Sequence, residues 1–219
     1  MALRCRIIRS LFASQNRKEA TMKNTLRLTL ISVLLLFTTS AMADDWLKTM
    51  KDFELTDHMG VSHTMTEYAD NDFIVVYIHG SGCPIARLSV PTFLSIRDDY
   101  QDQNISFLML NSFIQDDIPR IRKEAADFKI DFPILKDADQ SVARSMGVER
   151  TAEVFIVNPR TGDIVFRGPI DDSLGYETQR INTNHNYLRD ALDAVMAGEA
   201  INMNEIPDSK GCLVGFFLS

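Results

Sequence analysis

The strongest structural signal in this sequence is an apolar run that leads into a cysteine and then a proline. Residues 72–80, DFIVVYIHG, have the composition of a strand that is buried on both faces of a sheet. Residues 84–100 carry apolar side chains at helical spacing, and Pro84 stands where the first helical turn tolerates proline. The pattern therefore predicts a central strand, a helix packed on it, and Cys83 at the junction between them.

The rest of the chain alternates between the two kinds of element. A short hairpin, a second buried strand, a further short strand and a late β-hairpin are predicted at residues 53–65, 105–111, 132–135 and 153–168. Three more helices are predicted at residues 115–130, 139–148 and 186–199. Strands and helices in this order predict an α/β fold with a central mixed sheet.

Residues 22–43 have the pattern of a secretory signal peptide. A positive end with Lys23 and Arg27 precedes an apolar core, and an Ala-Met-Ala cleavage site ends at Ala43. We therefore predict cleavage after Ala43 and a periplasmic or secreted protein without stable membrane insertion, a retained anchor being the alternative. Residues 1–21 precede a complete signal, and we interpret them as the product of a misassigned start codon.

The charge of the mature chain is strongly negative. The full sequence has 23 basic and 30 acidic residues, and residues 1–43 contain seven of the basic and one of the acidic ones. The remainder has 16 basic against 29 acidic residues, a formal charge of −13. Because nucleic acids and anionic membranes are bound by clustered Lys and Arg, neither is expected as a partner.

Two cysteines, Cys83 and Cys212, remain after the predicted cleavage. In an oxidising compartment they form one disulfide, or one is a reactive thiol and the other a bystander. A helix N-terminus favours a thiolate, so Cys83 is predicted to be reactive, with a buried inert thiol as the alternative. His79 is interpreted as a strand-end histidine rather than a charged partner of the thiolate. The histidines are scattered, and we predict no metal site and no cofactor.

Three segments together resemble a known family. FELTDHMG, GCPIARLSVP and residues 132–172 are similar to thioredoxin-fold redoxins, the AhpC/TSA-like branch that includes alkyl hydroperoxide reductases and exported thiol-disulfide oxidoreductases. The resemblance covers about residues 50–200. It implies a three-layer thioredoxin-like fold with an N-terminal β-hairpin extension and a C-terminal tail. The chain is then divided into an extension and signal peptide (1–43), a redoxin domain (44–200) and a tail (201–219).

The chain departs from the family pattern at three positions. Ala86 stands where thioredoxins have the second cysteine of C-x-x-C, and Ala152 replaces the proline that usually follows Thr151. A cis peptide bond at a non-proline residue costs about 3 kcal/mol, so a trans bond and a changed substrate face beside Cys83 are expected. Gly80 stands where peroxidases of the family have threonine, which weakens a peroxidatic role.

The resemblance implies a thiol-disulfide oxidoreductase that acts on protein or small-molecule thiols and disulfides. Cys83, in a C-x-x-A motif, would be the nucleophile, and a C-terminal Gly-Cys in some members makes Cys212 the candidate resolving residue. Arg87 and Arg150 are the basic residues expected to face the site, a solvated arginine being the alternative for each. Two other functions stay open: a one-cysteine peroxiredoxin-like peroxidase acting on peroxide, and a non-catalytic thioredoxin-fold binding module.

Overall fold

A five-stranded mixed sheet forms the centre of the domain. The computed structural model describes residues 48–174 and 183–217, so the predicted signal peptide lies outside the described residues. The strands in the described part are β1 (Glu54–Thr56), β2 (Ser62–Thr64), β3 (Phe73–His79), β4 (Ile105–Asn111), β5 (Ile134–Lys136), β6 (Val154–Val157) and β7 (Ile164–Gly168). β1 and β2 form a separate antiparallel hairpin, as the sequence predicts.

The central sheet has the strand order β5-β4-β3-β6-β7. β3 and β5 run parallel to β4 on either side of it, while β6 pairs antiparallel with both β3 and β7. β3 thus has a hydrogen-bonded neighbour on each edge, and all of its residues after Phe73 are buried. This central position explains the continuous apolar run from which the strand was predicted.

Helices on the sheet complete three layers. Those of the described residues are α1 (Pro84–Asp99), α2 (Ile118–Phe128), α3 (Ser141–Met146) and α4 (Tyr187–Met196), with 3-10 turns at Met65–Tyr68 and Met203–Glu205. Asp117 caps α2 by accepting a hydrogen bond from the backbone N–H of Arg120, and Gly147 ends α3 in a left-handed conformation. Within residues 48–174 and 183–217, no helix has the length and apolarity needed to cross a membrane.

Two apolar clusters cover the two faces of the sheet. Val75 and Tyr77 of β3 point into the first cluster, which includes Phe93 of α1, and the centres of the Tyr77 and Phe93 rings are 4.9 Å apart. Ile74 and Val76 point into the second, to which the hairpin and α3 contribute. Side chains of a strand alternate between its faces, so one buried strand supplies both clusters. The predicted three-layer thioredoxin-like fold with a central mixed sheet is confirmed.

Candidate active site

Cys83 lies at the junction that the sequence predicts. β3 ends at His79, a short loop follows, and Cys83 is the N-cap of α1 with Pro84 as its first residue. The loop turns back on itself because Gly82 adopts a φ of +83°, which L side chains rarely adopt. Cys83 is only 5% exposed. The sulfur is therefore held by a buried strand, a tight loop and a helix N-terminus.

Two buried carboxylates accept hydrogen bonds from the loop between β3 and Cys83. The backbone N–H of Ser81 donates to Asp116 at 2.7 Å, and that of Gly82 donates to Glu124 at 3.5 Å. Arg87 donates to both carboxylate oxygens of Glu124, at 2.8 and 2.7 Å. Burial works to raise the pKa of Glu124, but the hydrogen bonds from Arg87 and Gly82 lower it below its ordinary value. Arg87, expected to face the thiol, instead neutralises a carboxylate behind the loop.

His79 lies in a polar cluster beneath the same loop. The side-chain amide of Asn111 donates to Nδ1 of His79 at 2.9 Å and to Asp116 at 2.8 Å, while Lys136 donates to the side-chain oxygen of Asn111 at 3.0 Å. Burial lowers the pKa of His79 to about 4. The imidazole is therefore neutral at pH 7, which favours the interpretation of a strand-end histidine over that of a charged partner for a thiolate.

A disulfide joins Cys83 to Cys212. Their Cα atoms are 6.2 Å apart, although 129 residues separate them in sequence. Cys83 is buried, whereas Cys212 is partly exposed. The structure thus brings together the predicted nucleophile and its candidate resolving partner, a proximity that the sequence left open. Their catalytic roles stay predictions.

Thr151 connects the two cysteines, and sequence reasoning did not assign it a role. Its hydroxyl donates to the Cys83 sulfur at 3.1 Å and accepts from the backbone N–H of Cys212 at 2.9 Å. Its own backbone N–H donates to the carbonyl of Cys212 at 2.9 Å. Its position in the sequence could have indicated such a role. Thr151 directly precedes Ala152, and in the family the loop with the proline at this position approaches the cysteine.

Ala152 shows why the usual proline is absent. Its φ is +59°, its peptide bond is trans, and its N–H donates to the carbonyl of Ile78 at 2.9 Å. Proline has a φ near −65° and no N–H, so at this position it could neither adopt the positive φ nor donate the hydrogen bond to Ile78. The expected trans bond is confirmed, and the loop is anchored to β3 through a hydrogen bond that proline cannot make.

The tail that carries Cys212 lies along residues 149–151. Leu213 pairs antiparallel with Arg150, and the backbone N–H of Val214 donates to the carbonyl of Glu149 at 2.9 Å. The Arg150 guanidinium donates to the carbonyl of Gly211 at 3.2 Å, so this predicted site residue contacts the tail. A Cβ at Gly211 would collide with the Thr151 carbonyl, which explains the glycine before Cys212.

Two cavities flank the disulfide region. The smaller, about 20 Å³, lies among Ile85, Ser89 and Ala152, while the larger, about 490 Å³, lies between β7 and the tail and is lined by charged side chains. The small one is close to the volume of a single water molecule. In the parts of the chain that the structure describes, no group of three His, Cys, Asp or Glu side chains is arranged to hold a metal ion.

Comparison with known proteins identifies the family to which this site belongs. The sequence profile of the AhpC/TSA family matches residues 47–166, more than half of the chain. The chain belongs to the AhpC/TSA family. The family resemblance inferred from the sequence is therefore confirmed. Among curated proteins, none matches this AhpC/TSA protein significantly.

Several solved structures share its fold. A hypothetical protein from Sinorhizobium meliloti is 26% identical, with a TM-score of 0.68 over 81% of this chain and 98% of its own. Peroxidoxin BcpB from Mycobacterium tuberculosis is 17% identical, with a TM-score of 0.51 over 69% of this chain and 96% of its own. A protein designated thiol:disulfide interchange protein DsbE from Chlorobium tepidum is 16% identical, with a TM-score of 0.52 over 70% and 96%. The last two likenesses show the fold alone.

Proposed function

We propose that this protein is an exported thiol-disulfide oxidoreductase that cycles between a Cys83–Cys212 disulfide and the corresponding dithiol. The observation that carries the proposal is the disulfide itself, which joins the thiol at the strand–helix junction to the cysteine of the tail. Export rests on the signal pattern of residues 22–43, and an oxidising compartment is where such a disulfide persists. Its substrates are thiols and disulfides of proteins or small molecules.

The difference in exposure determines which sulfur is attacked when the disulfide is reduced. Cys83 is buried and Cys212 is partly exposed, so an external thiolate attacks the sulfur of Cys212. The Cys83–Cys212 bond breaks, its electron pair remains on Cys83, and a mixed disulfide forms on Cys212. A second external thiolate attacks the sulfur of the bound reductant, releasing the Cys212 thiolate and an oxidised reductant. Two electrons have then moved to the protein, which takes up two protons from water.

The surroundings of Cys83 suit it to leave as a thiolate. Cys83 stands at the N-terminus of α1, where the helix dipole favours a thiolate, and the Thr151 hydroxyl donates to its sulfur at 3.1 Å. A thiol of lower pKa is a better leaving group in disulfide exchange. In the other half of the cycle, Cys212 is no longer bonded to Cys83, and the Cys83 thiolate attacks a substrate disulfide. Cys212 then attacks the sulfur of Cys83, which releases the reduced substrate and restores the internal disulfide.

The test is the reduction of a model protein disulfide by the wild type and by Cys83→Ser and Cys212→Ser variants. Cys83→Ser is expected to lose turnover, and Cys212→Ser to accumulate a mixed disulfide between Cys83 and the substrate, visible by mass under non-reducing conditions. Ser209→Ala is a matched control, since its buried hydroxyl has no hydrogen-bond partner within residues 48–174 and 183–217. Turnover of Cys83→Ser equal to that of the wild type would refute the proposal.

The same variants separate the two alternative functions. A one-cysteine peroxidase would consume peroxide rapidly and form a sulfenic acid on Cys83, which a sulfenic-acid probe traps. A non-catalytic binding module would keep its disulfide in mild reductant and turn over neither substrate. Rapid peroxide consumption without reduction of the protein disulfide would replace the proposed function by the first alternative.

A further inference from the structure

The tail passes around one end of the sheet. Met203 and Ile206 pack against the first apolar cluster, whereas Val214 is buried in the second, and Cys212 contacts both. The segment from Ser209 to the end of the described residues contains no helix or strand. This part of the tail is therefore held by its hydrogen bonds to residues 149–151 and by contacts made after Cys212.

Gln140 makes the most specific of these contacts. It is fully buried and precedes α3 with a left-handed φ of 59°. Its Nε2 donates to the carbonyl of Gly215 at 2.7 Å and to that of Ser112 at 2.8 Å. Its Oε1 accepts from the backbone N–H of Phe217 at 2.8 Å. One buried amide thus binds the main chain of the tail at two residues and ties it to the loop after β4.

Arg144, one turn further along α3, supports the same segment. Its guanidinium lies 4.8 Å from the centre of the Phe216 ring and donates to the carbonyl of Phe217. We call Gln140 and Arg144 the tail socket. The contacts of the socket with the tail go to residues 215–217, three to five positions beyond Cys212, and not to either sulfur. The socket therefore acts on the disulfide only through the position of the tail.

We propose that Gln140 is a positioning residue for the resolving thiol. By holding Gly215 and Phe217, it keeps Cys212 beside Cys83 after the disulfide has been reduced. The proposal rests on the proposed redox cycle. It adds that residues 215–217 stay docked in the dithiol form. The buried amide of Gln140 then determines how readily Cys212 re-forms the disulfide with Cys83.

The physical quantity that Gln140 controls is the effective concentration of one thiol at the other. A thiol held near its partner has a high effective concentration, and one on a free chain end has a lower concentration that depends on chain length. With oxidised glutathione as oxidant, the dithiol form gives the Cys83–Cys212 disulfide and two reduced glutathione molecules, so electrons and protons balance. The equilibrium constant of this exchange reports the effective concentration directly.

The experiment removes the contact between Gln140 and the tail in two ways, once by changing Gln140 and once by shortening the tail. Gln140→Met removes the amide at nearly constant length, whereas a chain ending at Val214 removes the residues that Gln140 holds and leaves Gln140 intact. Each protein is equilibrated in glutathione buffers, quenched by alkylation and measured by mass. Gln103→Met, the same change at an exposed residue, is the control, and circular dichroism checks that every variant is folded.

Both perturbations are expected to lower the equilibrium constant for disulfide formation about tenfold relative to the wild type and to Gln103→Met. Gln140→Met in the truncated chain should add nothing further, since both changes remove the same contact. Equilibrium constants within about twofold of the wild type would overturn the proposal, as would a shift in Gln140→Met that truncation does not reproduce. A protein that shows the shift but fails to reduce the protein disulfide substrate would refute the oxidoreductase function and leave the positioning role of Gln140 standing.

Discussion

Cys83 and Cys212 share one bond, but the molecule holds them in different ways. Cys83 follows a strand with neighbours on both edges, and its loop is bound by buried carboxylates. Cys212 lies in a segment without helix or strand, held by the backbone of residues 149–151 and by Gln140 beyond it. Cys83 is thus fixed by the scaffold, and Cys212 by a small set of contacts. Changes in the scaffold should alter global stability, whereas changes in the tail should alter the redox equilibrium.

The largest expected effect comes from the scaffold. Phe93→Ala removes a fully buried ring that packs against Tyr77 and should lower the free energy of unfolding by about 4 kcal/mol. Val214→Ala, in the buried part of the tail, should lower it by no more than about 2 kcal/mol, and Val61→Ala at an exposed position by less than about 0.5 kcal/mol. Urea unfolding of the oxidised proteins measures all three. Equal losses for Phe93→Ala and Val214→Ala would contradict the division between scaffold and tail.

Restoring the family's proline beside the site should be the next largest perturbation. Ala152→Pro cannot adopt a φ of +59° and loses the hydrogen bond to Ile78, so a loss of about 3 kcal/mol is expected. Ala152→Ser retains the N–H and a small side chain and should change stability by less than about 1 kcal/mol. Thermal unfolding of the two variants makes the comparison. A proline variant as stable as the serine variant would show that the loop is not tied to β3 as described.

The buried histidine predicts a pH dependence of the scaffold. His79 has a folded pKa of about 4 against an ordinary value of 6.5 in the unfolded chain, so the unfolded chain binds more protons between these values. The contribution of neutral His79 to the free energy of unfolding is therefore fully present above pH 6.5 and decreases as the pH falls toward 4. Between pH 7 and 5 the free energy of unfolding should fall by about 2 kcal/mol for this reason. His79→Gln should remove this component, and the exposed His185→Gln should retain it. Identical pH profiles for the two variants would contradict the assignment.

The smallest effect concerns the tail alone. A Cβ at Gly211 would overlap the Thr151 carbonyl oxygen, so Gly211→Ala should displace the tail and shift the glutathione equilibrium toward the dithiol by about tenfold or more, at least about 1.4 kcal/mol. Gly215→Ala is the matched control, because its added methyl group meets no atom within 4 Å. Alkylation and mass measurement of both variants provide the result. A larger shift for Gly215→Ala than for Gly211→Ala would refute the close approach.

The sequence predicted the scaffold better than the tail for physical reasons. Local patterns predict β3, Cys83 and α1. A continuous apolar run indicates a buried strand, and a proline at the first helical position indicates where a helix begins. The pairing with Cys212 depends on contacts across 129 residues, for which the irregular tail carries no periodic signal. The signal-peptide prediction lies outside the described residues and stays a prediction.

The polar residues of the site were the hardest to predict. Glu124 lies on an amphipathic helix on which charged residues are normally solvated, yet it is buried beneath the loop through its pairing with Arg87. Gln140 has no local pattern that reveals an amide directed at a distant main chain. Such residues are defined by the groups that the fold brings to them, so only the three-dimensional arrangement identifies them.

The proposed redox cycle and the proposed role of Gln140 both require Cys83 and Cys212 to form one redox couple within a single chain. Non-reducing peptide mapping of the protein, purified without reductant and alkylated before digestion, tests it most directly. We expect a monomer in which the Cys83 and Cys212 peptides are linked to each other and accept alkylating reagent only after reduction. Free Cys83 in the oxidised protein, or a Cys212 that links two chains, would contradict it.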